Sequence, residues 1–420
     1  MSRRILENHS ENEASPFYCR TPQSAYIHIP FCTKKCGYCD FVSFSGVEHH
    51  IPIYFAALMN EIKVTFAVQR NLDKGQGVED SNNKLSDLNY DLPLLQTVYF
   101  GGGTPGMVPF RYLCDILHLL RREVGVAENA EITLEVNPGN LATDQLSDLY
   151  QAGFNRLSIG LQSAQPQLLK LLGRIHSPED FLHLTEYAKM VGWQNISGDM
   201  MLGLPGQSLA DVQHTVEFLD RCQVTHVSLY SLMVEPDTPF WNRYRYGEGL
   251  PAPELEREMY HTAVSSLEKR GFELYEISNM AKPGYQSQHN LTYWAGRPYY
   301  GFGCGAASFV NGERRSNPHN LKKYIAHYSQ GEQSQLLFDV DEIIDLNEAM
   351  IEYFMLGFRR LSGVSITEFE KQFGQHPPVF MLTALANLQR EGLIYFDGDS
   401  AHLSCKGLDY ANQVFMAFLP

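Results

Sequence analysis

From residue 24 onwards the chain alternates short runs of β-branched and aromatic residues with longer stretches whose apolar residues recur every three to four positions. The first pattern predicts strands and the second amphipathic helices. AYIHIPF (25–31) opens the series, and a helix is predicted over 51–70. Then LLQTVYFGGGTP (94–105) precedes PFRYLCDILHLLRREV (109–124), EITLEVNP (131–138) precedes ATDQLSDLYQAG (142–153), and NRLSIGLQS (155–163) precedes QPQLLKLLGRI (165–175) and a helix over 181–190. QNISGDMMLGLPG (194–206) leads into SLADVQHTVEFLDRC (208–222), and THVSLYSLMVEP (225–236) leads through a tyrosine-rich loop into PELEREMYHTAVSSLEKRG (253–271). Six successive β/α units predict an α/β fold with a parallel sheet, curved into a partial or complete TIM-like barrel.

Three other stretches break this pattern. Residues 1–23 are polar and lack periodicity, which predicts a flexible tail, and 71–91 is a glycine-, asparagine- and acid-rich insertion read as a surface loop. After a further strand, FELYEIS, residues 288–318 are rich in glycine and aromatics and predict an ordered closing segment for the barrel, which is taken to run over 24–335. Over 336–420 the reading changes to three helices and a hairpin turning at Asp397 and Gly398, followed by a last helix. That order resembles a winged-helix domain. Residues 341–420 carry 11 acids against 5 bases, a net of −6, so a packing or partner-docking role is expected there rather than DNA binding.

Charge supports the same exclusion, since a formal −15 for the chain disfavours a nucleic-acid backbone as the main partner. The N-terminus lacks the apolar core of a signal peptide, and no later segment reads as an uninterrupted apolar span. A cytoplasmic protein with reduced thiols and no membrane span is expected, peripheral contact remaining open.

Candidate chemistry begins with the thiols. Of eight cysteines, Cys32, Cys36 and Cys39 form a C-x3-C-x2-C cluster just after the first predicted strand. The other five are scattered, and four of them (Cys114, Cys222, Cys304, Cys405) read as ordinary free thiols. Zinc would need a fourth ligand, for which His49 or His50 is available. Three cysteines in one tight loop without a second ligand pair favour instead a [4Fe–4S] cluster with one iron left open. In a β/α barrel the chemistry gathers at the C-terminal ends of the strands. Cys32, the 101–104 glycine loop, Glu135 with Asn137, Gln162, Asp199 and Glu235 all fall on or near that rim.

With Tyr38 before its last cysteine, the loop resembles the signature of the radical S-adenosylmethionine (SAM) superfamily, and GGGTP (101–105) resembles that family's loop for the methionyl end of SAM. The resemblance implies that SAM chelates the open iron and that an electron from the cluster cleaves it to methionine and a 5′-deoxyadenosyl radical. An electron donor for the cluster is then a further expected partner. YIHIPFC, GGGTP, GLQS, LLGRIHS and DMMLGLPG together resemble the oxygen-independent coproporphyrinogen III oxidase group. Carried over residue by residue, this implies that Tyr26, Gly102 and Glu135 contact the cluster-bound SAM. Gly103, Thr104, Gln162, Arg174 and Asp199 would line the rest of the cavity, where the oxidases hold a second SAM.

One position departs from the oxidases, which carry another cysteine two residues beyond the third ligand, where this chain has Phe41. The chain is closer there to the related HemW-type haem chaperones, which bind haem and pass it to acceptor proteins. Their HNxxYW motif is present as His289, Asn290, Tyr293 and Trp294. Imidazole ligates haem iron well, which makes His289 the candidate ligand. Haem transfer to an acceptor protein is thus the first expectation, and anaerobic decarboxylation of coproporphyrinogen the second.

Overall fold

The computed structural model of the chain describes residues 21–73, 92–141, 143–331 and 334–419. The tail up to residue 20 and the insertion from 74 to 91 lie outside the described residues. Six strands follow the sequence expectation: β1 (Ser24–Ile29), β2 (Leu95–Gly102), β3 (Val126–Val136), β4 (Arg156–Gln162), β5 (Asn195–Leu202) and β6 (His226–Ser231). Each pairs in parallel with its neighbour in chain order. FELYEIS does not extend this parallel series. It gives β7 (Glu273–Glu276), which pairs antiparallel with β8 (Asn279–Ala281), itself antiparallel to β6. At the other edge β9 (Tyr300–Phe302) runs parallel to β1. The order β7-β8-β6-β5-β4-β3-β2-β1-β9 leaves β7 and β9 as separate edges, so the barrel is a partial one.

Alternation along the strands explains what each face does. Ala25, Ile27 and Ile29 of β1, Val98 and Phe100 of β2, Ile132, Leu134 and Val136 of β3, and Leu157, Ile159 and Leu161 of β4 all join one buried apolar core with the surrounding helices. The intervening residues are polar and hydrogen-bond to one another, as Tyr26, Tyr99, Glu135, Ser158, Asp199 and Ser228 do. A strand with period two therefore presents a greasy face outward to helices and a polar face inward to a lumen. Two of the covering helices, Pro178–Val191 and Leu209–Arg221, start with capping boxes built by Ser177 with Asp180 and Ser208 with Asp211.

The helix Ile51–Asp73 changes one sequence expectation. Residues Glu48–Arg70 are long and apolar enough, by length and composition, to cross a bilayer. Half of that window is buried inside the protein, where Tyr54, Phe55, Leu58, Ile62 and Phe66 pack into the barrel core. Its apolar residues are those of a core helix, interrupted on the buried side by Glu61.

Beyond the barrel, Ala307–Val310, Glu313–Ser316 and Asp339–Ile343 form a three-stranded antiparallel sheet. Residues read from the sequence as the start of the C-terminal unit are thus hydrogen-bonded to the closing segment. The helices Leu346–Gly357, Ile366–Phe373 and Val379–Arg390 then surround a second core, in which Phe354 stacks on Phe418 at 4.7 Å. The expected hairpin pairs Ile394–Phe396 with Ser400–Leu403, and Asp397 Oδ1 accepts the backbone N–H groups of Asp399 and Ser400 in its turn.

Candidate metal and cofactor centre

The three cysteines leave the C-terminal end of β1 in a loop held by its neighbours. Cys32 N–H donates to the Phe44 carbonyl at 2.9 Å and Phe44 N–H returns to Pro30 at 2.7 Å. Gly37 donates to Leu172 and accepts from Phe240, and a Cβ at Gly37 would lie 2.9 Å from the Phe240 ring. All seven described cysteines are free thiols. Burial pushes the Cys32 and Cys39 thiols up, opposed at Cys32 by the Thr104 hydroxyl.

Three soft thiol donors on one loop suit an iron–sulfur cluster. His49 and His50, the fourth ligands a zinc site would need, lie side by side in the short turn Glu48–His50, their ring centres 4.0 Å apart and their planes tilted by 54°. Among the described residues no three His, Cys, Asp or Glu side chains are grouped as a single metal ion requires.

Facing the loop, the glycine run at the end of β2 is shaped by steric necessity. Gly102 has φ +109°, and a Cβ there would lie 2.5 Å from the His28 ring. At Gly103 a Cβ would lie 2.6 Å from the Phe31 carbonyl oxygen, just before Cys32. His28 itself ties strand to loop, because Val42 O can only accept, so Nε2 carries the proton (2.8 Å) and Nδ1 accepts from the Tyr26 hydroxyl (3.1 Å). Burial lowers the pKa of His28 to about 4, which keeps it neutral.

Thr104, Arg174 and Cys32 meet through a residue that the sequence placed on the rim without a role, Asn137. Arg174 Nη1 donates to Asn137 Oδ1 at 2.6 Å, Asn137 Nδ2 donates to Thr104 Oγ1 at 3.0 Å, and Thr104 Oγ1 lies 3.6 Å from Cys32 Sγ. Gly160 on β4 leaves room for this group, since a Cβ there would lie 2.9 Å from both Asn137 Oδ1 and Gln162 Nε2. Gln162 follows a register slip in β4 and adopts φ +69°, a left-handed conformation uncommon outside glycine that turns its side chain toward the same end.

Deeper in the lumen, Glu135 accepts from the Tyr99 hydroxyl at 2.7 Å and from Gly102 N–H at 3.0 Å. Burial pushes its pKa up to about 7, partly offset by the Tyr99 hydrogen bond. Asp199 accepts from Ser228 at 2.8 Å and from Ser158 at 3.3 Å, and burial likewise raises its pKa. The sequence reading missed these serines, together with Tyr99 and the fully buried Arg156. Their signal was period-two polarity within strands whose other face is apolar.

His289 is placed elsewhere. The short helix Gln288–Trp294, capped by Ser287, sits against the N-terminal half of the strands: its first N–H groups donate to Glu131, and Thr292 Oγ1 lies 3.2 Å from Ser24 Oγ. His289 Nδ1 is 2.7 Å from the Thr97 hydroxyl and Nε2 2.9 Å from the Tyr293 hydroxyl. Its ring stacks on Tyr99, which in turn stacks on Tyr26. In this conformation His289 is 2% exposed and both of its ring nitrogens are engaged. Trp294 faces the C-terminal domain instead, with the Arg359 guanidinium 4.1 Å from its ring centre.

Comparison with known proteins gives the chain's family. Residues 26–219 match the model of the radical SAM superfamily, and residues 344–410 match the HemN C-terminal domain. The heme chaperone HemW of Bacillus subtilis is 36% identical over 94% of this chain and 99% of its own length. The mitochondrial radical S-adenosyl methionine domain-containing protein 1 of Mus musculus is 31% identical over 97% and 89%. Among solved structures, the coproporphyrinogen III oxidase HemN from Escherichia coli superposes with a TM-score of 0.77 over 96% of this chain and 91% of that one, and its 21% identity supports the shared fold alone. The chain therefore belongs to the HemW family, built on the radical SAM fold.

Proposed function

We propose that this protein binds haem and hands it to an acceptor protein, on a scaffold that carries a [4Fe–4S] cluster and SAM. Cys32, Cys36 and Cys39 would ligate the cluster, leaving one iron for SAM. Tyr26, Gly102 and Glu135 would hold the SAM bound there, and Gly103, Thr104, Gln162, Arg174 and Asp199 would line the adjoining cavity. Bound SAM supplies a latent 5′-deoxyadenosyl radical. The residues themselves fix the cysteine loop and present in Glu135 a carboxyl poised near neutrality to exchange hydrogen bonds with hydroxyls. Free thiols throughout the described chain suit a reducing compartment such as the cytoplasm.

The observation that carries the haem reading is a cavity of about 330 Å³ beside the cysteine loop, where Tyr26, His28, Phe41 and Val42 meet Tyr293 and Tyr299 from the closing segment. It joins the residue that departs from the oxidases to the motif shared with the chaperones, and its aromatic lining suits a porphyrin face. His289, held neutral by burial that lowers its pKa to about 3, would ligate haem iron once Tyr293 releases Nε2. One anaerobic preparation tests the reading. Reconstituted protein should take up haem and lose it to an apo-acceptor, and it should leave coproporphyrinogen unconsumed under reducing conditions with SAM. Turnover of coproporphyrinogen with release of 5′-deoxyadenosine would overturn the chaperone reading.

A further inference from the structure

The direction of each proton in the chain from Arg174 to Cys32 follows from which groups can donate. A guanidinium only donates, so the Asn137 side-chain oxygen faces Arg174 Nη1 and its amide nitrogen faces Thr104. An amide N–H only donates as well, so Thr104 Oγ1 accepts from Asn137 and its own proton is left to point elsewhere. Cys32 Sγ, 3.6 Å away, is the acceptor in reach. Thr104 and Cys32 are both buried, so water does not compete for that proton.

We propose that Thr104, oriented by Asn137 and Arg174, donates a hydrogen bond to the Cys32 sulfur and thereby raises the reduction potential of the cluster that this sulfur holds. The inference rests on the cluster reading above. Hydrogen bonds to ligand sulfurs disperse the negative charge that reduction adds, and so favour the reduced state. Thr104 and Asn137 are positioning residues in this role, distinct from the SAM contact that family resemblance implies for Thr104. Asn137 acquires a function that its place at the end of β3 did not by itself suggest.

Anaerobically reconstituted wild type, Thr104→Val, Thr104→Ser and Asn137→Leu are to be compared, first by iron and acid-labile sulfide and then by EPR-monitored redox titration. Thr104→Val is expected to load its cluster but to weaken the reduction equilibrium about tenfold, a fall of ~59 mV for one electron. Thr104→Ser should keep the wild-type midpoint, and Asn137→Leu should fall between, because its hydroxyl is present but no longer aimed. A loaded Thr104→Val with the wild-type midpoint overturns the inference. Should that variant take up no cluster, an unchanged midpoint in loaded Asn137→Leu overturns it instead. Wild type without iron and sulfide overturns the cluster reading itself, a result distinct from either.

Discussion

The Nε2 atom of His289 lies 2.9 Å from the Tyr293 hydroxyl, and this bond closes the imidazole to iron in the conformation described. Binding of haem through His289 then competes with Tyr293 for the same lone pair or proton. Tyr293→Phe removes the competitor and keeps the ring. A neutral hydrogen bond contributes about 1 kcal/mol, so Tyr293→Phe should bind haem about fivefold more tightly. His289→Ala should bind at least about tenfold more weakly, the equivalent of ~1.4 kcal/mol. Haem titrations followed by the Soret band decide this, and wild-type affinity in both variants would remove His289 as the ligand.

A second carboxyl far from the lumen has a measurable titration. Glu61, on the first long helix, accepts from Gly303 N–H at 2.8 Å, from Tyr324 OH at 2.5 Å and from Asn317 Nδ2 at 2.5 Å, so it fastens the closing segment to the barrel. Burial pushes its pKa from 4.5 up to about 7, opposed by these hydrogen bonds. The folded state therefore keeps a proton that the unfolded chain has already lost, and stability from this group falls as pH rises from about 4.5 through about 7. Wild type should lose about 3 kcal/mol across that window relative to Glu61→Gln, which does not titrate. Unfolding curves at pH 5 and pH 8 measure it, and a difference between the two proteins that does not change with pH would contradict the assignment.

Glu61 also shows why part of the molecule was hidden in the sequence. Within its helix it reads as a polar residue on an amphipathic surface, and its partners Gly303, Asn317 and Tyr324 arrive more than 240 residues later. The six strands were legible because every second residue must be apolar to meet a helix, and the rim rule then brought Cys32, Gly102, Thr104 and Gln162 to one end of the sheet. His289 obeyed no such rule. It stands on a seven-residue helix between β8 and β9, outside the six β/α units, and only packing against Thr97 and Glu131 sets which end of the barrel it occupies.

The glycine loop should be intolerant of a single methyl group. A Cβ on residue 103 would lie 2.6 Å from Phe31 O and 2.9 Å from Ile29 O, both backbone atoms of the strand end that carries Cys32. Backbone cannot swing aside as a side chain does, so Gly103→Ala must shift β1 away from β2. We expect a loss of about 1–3 kcal/mol, as for other overpacked sites, together with less iron retained per chain after reconstitution. Wild-type melting temperature with full iron content would show that the loop has slack which these distances exclude.

Phe41 separates haem handling from cluster binding. Its ring is 64% exposed at the cavity beside the cysteine loop, and the contacts that fix the loop there are made by its backbone, whose carbonyl accepts from Lys35 Nζ and Ser43 Oγ, each at 3.2 Å. Removing the ring therefore leaves those bonds intact. Phe41→Ala is expected to take up the same iron and sulfide as wild type yet bind haem about fivefold to tenfold more weakly, for one aromatic contact of about 1–1.5 kcal/mol. Phe41→Cys should behave in the same way and gain no coproporphyrinogen turnover, because the lumen side chains around Glu135 and Asp199 are unchanged. Unaltered haem affinity in both variants would mean that the porphyrin lies outside this cavity.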